Sequence, residues 1–185
     1  MAFISLNTAT ALSGLSKRTL WRRVADRNLR TQDAGEPGER TLVALDDLLP
    51  LSRLRLETDD HELIVDADQG TPEAQCDLAL LFLAQGFAAE AVRLLEMAAN
   101  RFYPEAMHWL GRCHIAGTGV APDEQLGISW ISKAAQHGHI TAKRMMQYLD
   151  NAARPRQKPE ALEAVLDDIE RKVVLSVLRE TVHRG

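Results

Sequence analysis

The sequence predicts a mainly α-helical protein with a small front module, a stack of helical repeats and a terminal helix. Two short helical patterns, separated by Gly14, precede two strand-like runs that flank a stretch rich in glycine and proline. From residue 61 onward the apolar residues follow helical spacing, and the segment repeats at intervals of 32 and 36 residues. A last helical pattern covers residues 160–182 and starts after a proline.

Composition limits the class of protein. The 185 residues, 45% of them hydrophobic, suffice for one large domain or two small ones. No run of eighteen apolar residues occurs, so we expect no transmembrane helix and no membrane partner. No charged residue precedes Lys17, so the start lacks the basic segment of a secretory signal. Two cysteines are too few for a disulfide framework, which predicts a cytoplasmic protein.

Charge is distributed unevenly along the chain. Residues 1–56 contain nine Lys/Arg and six Asp/Glu, whereas residues 57–185 contain thirteen and twenty. A basic front and an acidic remainder predict two modules with different partners, of which the front one suits nucleic acid. The polar segments ETDDHE and NAARPRQKP mark the boundaries. We therefore expect domains at 1–56, 57–151 and 152–185.

The front module begins with the pattern NTATALSG. Asn7 or Thr8 is the expected cap of a short helix, whose inner face carries Ala9 and Leu12 and which ends at Gly14. A second helix, SKRTLWRRVADRN, follows this tight turn. Two short helices joined in this way form a helix-turn-helix pattern.

The second helix is strongly basic, with six basic residues and one acidic residue in the segment 16–30. Ser16 is its predicted cap, and Leu20 and Val24 are expected to face inward. Arg18 and Arg22 then project together, as do Arg23 and Arg27. Such a helix fits the major groove of DNA, where arginine binds guanine or phosphate. The candidate DNA-binding residues are Lys17, Arg18, Thr19, Trp21, Arg22, Arg23, Arg27 and Arg40.

Two alternatives stay open for this helix. It is also interpretable as a solvated basic surface that docks onto the acidic repeats. For Trp21, packing is favoured over a contact with a base.

The runs LRTQ and RTLVAL flank DAGEPGE and predict a β-hairpin, or wing. Its tip carries Asp33, Glu36 and Glu39 against Arg40, and DNA phosphates would repel that tip. The wing is therefore expected to be structural, with Arg40 alone touching the DNA backbone. Asp46 is the expected cap of a helix that begins DDLL.

The segment from LNTATALSGLSKRTLWRR to ERTLVALDDLLPL resembles the winged helix-turn-helix of the MerR, excisionase and AlpA group. The features in common are ALSGLSKRTL, an arginine-rich second helix, a hairpin and the DDL helix start. The resemblance covers residues 5–54 and implies DNA binding.

The repeat segment predicts pairs of antiparallel helices. Glu73-Ala74 recurs as Glu105-Ala106, and Thr141-Ala142 occupies the same position in a third copy. Such pairs stack into a short α-solenoid, because one pair cannot bury its apolar face alone. Trp130 is expected to be buried between helices. The predicted helices lie near 73–85, 88–101, 105–116, 123–137 and 140–151.

The segment YPEAMHWLGRCHIAGTGVAPDEQLGISWISKAAQHGHITA resembles a Sel-one-like repeat, a relative of the tetratricopeptide repeat. The matching residues are Ala106, Leu110, Gly111, Gly117, Gly119, Val120, Asp123, Trp130, Lys133, Ala134, Ala135 and Gly138. Residues 70–102 form a degenerate copy without the loop glycines and the Asp. The resemblance implies a scaffold for protein interaction rather than an enzyme.

The terminal helix carries an apolar stripe at helical spacing: Leu162, Leu166, Ile169, Val173 and Val177, widened by Val174, Leu175 and Leu178. The stripe either caps the repeats or pairs with a second copy of the chain.

Residue patterns for catalysis or metal binding are missing from the sequence. His108, Cys113 and His114 lie close together, but they lack the spacing of metal ligands, and GTGV at 117–120 has neither the strand nor the GK[ST] of a phosphate loop. We therefore expect no enzyme activity, no metal and no cofactor.

The leading interpretation is a transcription regulator that binds double-stranded DNA through its front module and a protein partner through its repeats, as a homodimer. The alternative is a cytoplasmic adaptor whose helix-turn-helix no longer binds DNA. The basic helix favours the first interpretation, and the acidic wing favours the second.

Overall fold

The computed structural model describes residues 2–32, 41–151, 155 and 157–182. Within these ranges, the contacts divide the chain into two compact units, Met1–Gln85 and Gly86–Gly185. No helix in the described ranges is long and apolar enough to cross a membrane.

The first unit combines a small sheet with helices. Its elements are β1 (Phe3–Ser5), α1 (Leu6–Ser13), α2 (Lys17–Ala25), β2 (Thr31–Gln32), β3 (Leu42–Ala44), α3 (Leu45–Leu48), α4 (Asp60–Asp68) and α5 (Pro72–Ala84), with a 3-10 turn at Leu49–Leu51. The strands form an antiparallel sheet in the order β1-β3-β2, and Val43 of the central strand lies opposite Ile4 and Thr31. The predicted pairing of the two hairpin strands is confirmed, and the tip of the wing lies outside the described residues.

The caps of the front helices differ in part from the prediction. Ser5, not Asn7 or Thr8, caps α1 by accepting a hydrogen bond from the Thr8 amide, because the unexpected strand β1 places it there in extended conformation. Gly14 ends α1 with a φ of 69°, as expected. Helix α3 begins at Leu45 with no side-chain cap, so the prediction that Asp46 caps it is wrong.

Residues of both front helices form one core with the sheet. Ala9 and Leu12 of α1 and Leu20 of α2 are buried as predicted, and Val24 is half-buried. Leu29 and residues of β3 and α3 complete this core. The fully buried apolar residues here are Ile4, Ala9, Leu12, Leu20, Leu29, Val43, Ala44, Leu45 and Leu48.

Helix α4 belongs to the same unit as the front module. The Ser5 amide and hydroxyl donate to the Asp68 carboxylate at 2.9 and 2.5 Å, and the Thr8 hydroxyl donates to the same group. Gln85 exchanges two hydrogen bonds with the backbone of Arg55. The division between the two units thus falls inside the predicted repeat segment, and the domain limits at 56/57 and 151/152 stay predictions.

The second unit is helical in its described part. Its helices are α6 (Ala88–Ala99), α7 (Pro104–Ala116), α8 (Glu124–Gln136), α9 (Ile140–Leu149) and α10 (Pro159–Val182). Each lies within a few residues of a predicted helix, so the helical interpretation of the repeat segment is confirmed.

Helices α7 and α8 pack closely through two glycines. A Cβ atom at Gly111 would lie 2.7 Å from the carbonyl oxygen of Gly127, and one at Gly127 would lie 2.6 Å from that of Gly111. Trp130 of α8 is half-buried rather than fully buried, with Lys133 Nζ 4.0 Å from its ring centre. Gly111 and Gly127 thus determine how closely α7 and α8 approach, while Trp130 remains partly accessible to solvent.

Candidate functional site

An exposed basic surface lies on helix α2. We define the α2 basic face as Lys17, Arg18, Trp21 and Arg22, all of which are exposed. Ser16 caps the helix by accepting a hydrogen bond from the Thr19 amide, and Leu20 is buried on the opposite side. Because Lys17–Ala25 contains no acidic residue, this face presents three cations unopposed on its own helix.

Other predicted members of the site lie elsewhere. Thr19 is half-buried, and its hydroxyl lies 3.0 Å from that of Ser16. Arg23 is half-buried, with an Nε that lacks a hydrogen-bond partner among the described residues. Arg27 follows the end of α2, with a φ of 59°. The prediction that Arg23 and Arg27 project together is therefore wrong, because the helix stops at Ala25.

Trp21 is more exposed than the favoured packing interpretation predicts, at 46%. The hydrophobic core therefore does not account for its indole, which lies beside the cations of the α2 basic face. Arg40, the predicted contact of the wing, lies outside the described residues.

Arg30 is paired within the front module. Its Nε and Nη2 donate to the two Asp47 oxygens at 2.8 and 2.6 Å, and its amide donates to Asp47 Oδ2 at 2.9 Å. These bonds lower the pKa of Asp47 to about 2. Since this ion pair neutralises Arg30, the cations of the α2 basic face are the better candidates for a charged ligand.

A second charged site lies in the repeats. We define the Arg112 cluster as Arg112 of α7 with Glu163, Asp167 and Glu170 of α10. The guanidinium is 8% exposed and lies 2.5, 2.5 and 2.9 Å from the three carboxylates. Burial opposes its charge, but the hydrogen bonds and the attraction of Glu163 and Asp167 outweigh burial and raise the pKa of Arg112. This site attaches α10 to α7.

A group of aromatic and ionisable side chains lies beside the cluster. His139 Nδ1 accepts a hydrogen bond from the Ala142 amide at the start of α9, so its Nε2 carries the proton that faces Glu105 at 2.7 Å. His108 stacks on His139, with 4.5 Å between ring centres. Trp109 also donates to Glu105. These contacts join α7 to α9.

His108 is buried without a hydrogen-bond partner for either ring nitrogen among the described residues. Burial, with a smaller effect of His139, lowers its pKa to about 3 and keeps the ring neutral. In the described part of the chain, no group of histidine, cysteine and acidic residues is arranged to hold a metal ion. Cys76 and Cys113 are buried and form no disulfide, and burial raises the pKa of Cys113 to about 11.

Sequence reasoning missed the Arg112 cluster. Two signals were present: one arginine inside the otherwise mostly apolar segment MHWLGRCHIA, and acidic residues at positions 163, 167 and 170, which share one helical face. Neither signal identifies its partner, because the two segments are about fifty residues apart.

A family model supports the interpretation of the repeats. The Sel1 repeat family model matches residues 72–101 and 104–139. The crystal structure of a Sel1 repeat protein from Oxalobacter formigenes is similar to this chain, with 26% identity, coverage of 70% of this chain and 84% of that one, and a TM-score of 0.44. No curated protein matches the chain. The family model thus identifies residues 72–101 and 104–139 as two Sel1 repeats, a type of repeat that implies protein–protein interaction.

Proposed function

We propose that the protein is a DNA-binding transcription regulator whose front module contacts double-stranded DNA and whose Sel1 repeats bind a protein partner. The observation that carries the proposal is the α2 basic face, where Lys17, Arg18 and Arg22 are exposed. Arginine side chains four residues apart on an exposed helix reach adjacent base edges or phosphates. The exposed Trp21 adds a planar apolar surface to the same face.

The surrounding structure supports a winged helix-turn-helix interpretation of the front module. A three-residue turn joins α1 to α2, and an antiparallel strand pair follows, which is the order of elements in the group that the sequence resembles. Recognition helices of this kind lie in the major groove. The two buried cysteines form no disulfide, which fits a reducing compartment, and we propose a cytoplasmic location.

We further propose that the protein acts as a homodimer, because one small module makes few contacts with DNA and two-fold symmetry doubles them. The candidate interface is the second half of α10, where Val174, Leu175 and Leu178 are 51%, 46% and 55% exposed.

An adaptor without DNA binding is the alternative, and one observation favours it. Asp47 neutralises Arg30, which reduces the positive charge near α2. In that case the α2 basic face would dock onto an acidic protein surface. Salt-dependent binding to duplex DNA distinguishes the two functions. Lysine and arginine side chains that neutralise DNA phosphates release bound counterions, so the affinity falls as the salt concentration rises.

The first prediction is that replacing Arg18 and Arg22 by alanine abolishes selective DNA binding without unfolding the protein. The assay selects sequences from a randomised duplex pool with the full chain and then measures fluorescence anisotropy on the enriched duplex. Each arginine that reads a base contributes about 1–3 kcal/mol of discrimination. The double variant should therefore bind the enriched duplex no better than the unselected pool.

Arg93→Ala is the matched control, because Arg93 is an exposed arginine on α6. It should leave DNA binding unchanged. A wild-type chain that enriches no sequence and shows no salt-dependent affinity would establish the adaptor alternative. Equal affinity of the Arg18→Ala/Arg22→Ala variant and the wild type, at equal melting temperature, would remove α2 as the recognition helix.

A further inference from the structure

An open groove lies between helices α9 and α10, and its volume is about 540 Å³. One wall is formed by Arg144, Gln147 and Tyr148 of α9, and the other by residues of α10 between Ile169 and Ser176. Since a helix rises by about 1.5 Å per residue, the α10 wall is about 10 Å long. Neither the α2 basic face nor the Arg112 cluster contributes a residue to this lining, so the groove is a separate site.

The apolar surface of the groove comes from both helices. Ile169 and Val173 stand four positions apart on α10, so they share one face of the helix, and both are half-buried. Tyr148 is half-buried on the α9 wall, and its hydroxyl donates a hydrogen bond to Gln157 Oε1 at 3.1 Å. Because this bond engages the phenolic proton, the apolar ring is the part of Tyr148 that remains for a ligand. A ligand that covered these three side chains would remove apolar surface from water.

The charged part of the groove is positive. Arg144 is exposed, and no hydrogen bond or ion pair joins its guanidinium to another described residue. Lys172 lies 2.5 Å from Asp168, but this contact uses only one donor of its ammonium group, and the lysine side chain is 74% exposed. The described residues that line the groove include no Asp or Glu. Two cations and no lining carboxylate make the groove complementary to an anion.

These features select one class of ligand. Sites for small molecules are concave, have volumes of about 300–1,000 Å³ and combine an apolar lining with a few polar groups. An arginine guanidinium binds a carboxylate through two parallel hydrogen bonds. A cationic ligand would be repelled by Arg144 and Lys172, and a fully polar anion such as phosphate would leave the apolar walls uncovered. The groove therefore suits an anion that carries an apolar chain.

We propose that the groove between α9 and α10 binds a small carboxylic acid with an unbranched aliphatic chain. The carboxylate binds Arg144 and Lys172, and the chain lies along Tyr148, Ile169 and Val173. A wall two helical turns long fits a chain of medium length, so decanoate is the probe. This site goes beyond the proposed function, and its assay contains neither DNA nor a protein partner. Failure of the assay is therefore separate from failure of DNA binding by the α2 basic face.

The test titrates the full chain with sodium decanoate and measures affinity by calorimetry and the position of binding by NMR spectra of the isotope-labelled protein. The wild type should bind decanoate saturably, below the concentration at which the free acid forms micelles, with the largest shifts at residues of the groove. Octanoate should bind about three- to tenfold more weakly, because its shorter chain buries less apolar surface. Decyltrimethylammonium, a cation with the same chain length, should cause no shift at these residues.

Two variants test the chemistry of the groove. Arg144→Glu replaces an attractive charge by a repulsive one and should weaken decanoate binding by about tenfold or more. Arg93→Glu is the matched control, because it changes the net charge equally at an exposed position of α6 outside the groove, and it should leave the affinity unchanged. Gln147→Trp fills the groove from an exposed position of its α9 wall and should abolish binding. Circular dichroism and the melting temperature check that each variant is folded.

Several results would overturn the proposal: no saturable binding of decanoate by the folded wild type, equal affinity of Arg144→Glu and Arg93→Glu, or binding of decyltrimethylammonium in the groove. Binding that begins only when decanoate forms micelles would also overturn it, because an assembled lipid-like surface would then be the ligand. A dimeric wild type that binds no decanoate, next to a monomeric Val174→Ser/Leu178→Ser variant that does, would identify a second copy of the chain as the occupant of the groove.

Discussion

At the residue scale, the burial of His108 makes the stability of the folded protein depend on pH. Its ring is 1% exposed, stacks on His139 and faces Glu105 and Arg112 as nearby charges. Its pKa of about 3 in the folded protein lies below the ordinary value of 6.5. The unfolded chain therefore takes up a proton that the folded protein refuses as the pH falls through 6.5 towards 3. Stability is lost in that direction.

The prediction is that the free energy of unfolding falls by about 2 kcal/mol from this residue between pH 7 and pH 5. His108→Leu should flatten that dependence, because leucine takes up no proton. Urea unfolding at several pH values measures it, with Ser129→Ala, which removes no ionisable group, as the control that should keep the wild-type slope. This window lies above the ordinary pKa of Glu105 and Asp47, whose lowered values act at more acidic pH. An unchanged slope in His108→Leu would contradict the account.

Phe102 adopts a backbone conformation that a side-chain-bearing residue disfavours. It lies in the turn after α6, Gly138 lies in the turn after α8, and both have a positive φ, 62° and 97°. The left-handed conformation costs a side-chain-bearing residue about 1–2 kcal/mol, which glycine avoids. Phe102 is 66% exposed and stacks on His137. The repeat geometry therefore overrides the local preference of this residue.

At the element scale, the contact between α7 and α8 depends on the absence of two side chains. The backbones approach so closely at Gly111 and Gly127 that a methyl group at either would overlap a carbonyl oxygen. The surrounding residues Ile115 and Ile131 are also within 2.7 Å of those positions. An added methyl group therefore forces the two helices apart.

We predict that Gly127→Ala lowers the free energy of unfolding by about 2–3 kcal/mol, because overpacking of a close helix contact exceeds the gain in helix propensity. Urea unfolding followed by circular dichroism measures the change. Ser129→Ala, on the exposed side of the same helix, should change stability by less than about 0.5 kcal/mol. A variant as stable as the wild type would show that α7 and α8 separate without cost.

The sequence predicted the positions of the helices better than it predicted their caps and the contacts between their charged side chains. Period-3.6 spacing and the internal repeat located α5 to α10, because both signals depend on many residues. The cap of α1 was missed because strand β1, only three residues long, moves it to Ser5. The Arg112 cluster was missed because its members become neighbours only when α10 folds back on α7. Such contacts depend on tertiary structure and leave no local pattern.

At the scale of the whole molecule, the boundary between the two compact units does not coincide with the change from a basic to an acidic sequence near residue 56. Asp68 at the end of α4 bonds to Ser5 and Thr8 at the beginning of α1. The acidic segment after residue 56 thus contributes structure to the basic front module. The change in composition near residue 56 predicted two modules, but α4 and α5 belong to the same compact unit as the front module.

Self-association is the remaining expectation at this scale. The second half of α10 exposes Val174, Leu175 and Leu178, and these residues lie beyond the part that contacts α7 and α9. Burying them against a second copy would remove apolar surface from water, at about 25 cal/mol per Å². The Arg112 cluster involves the first half of the helix, so the proposed dimer leaves the contact between α10 and α7 intact in each copy.

We predict that Val174→Ser with Leu178→Ser converts a dimer to a monomer, measured by light scattering at tens of micromolar. Ser176→Ala, on the same turns of α10, is the control and should remain dimeric, as should Arg112→Ala. The serine variant should also lose affinity for the selected duplex more than for random DNA, because two half-sites need two linked modules. A wild-type protein that scatters as a monomer would contradict the dimer and leave α10 as a helix that packs on α7 and α9.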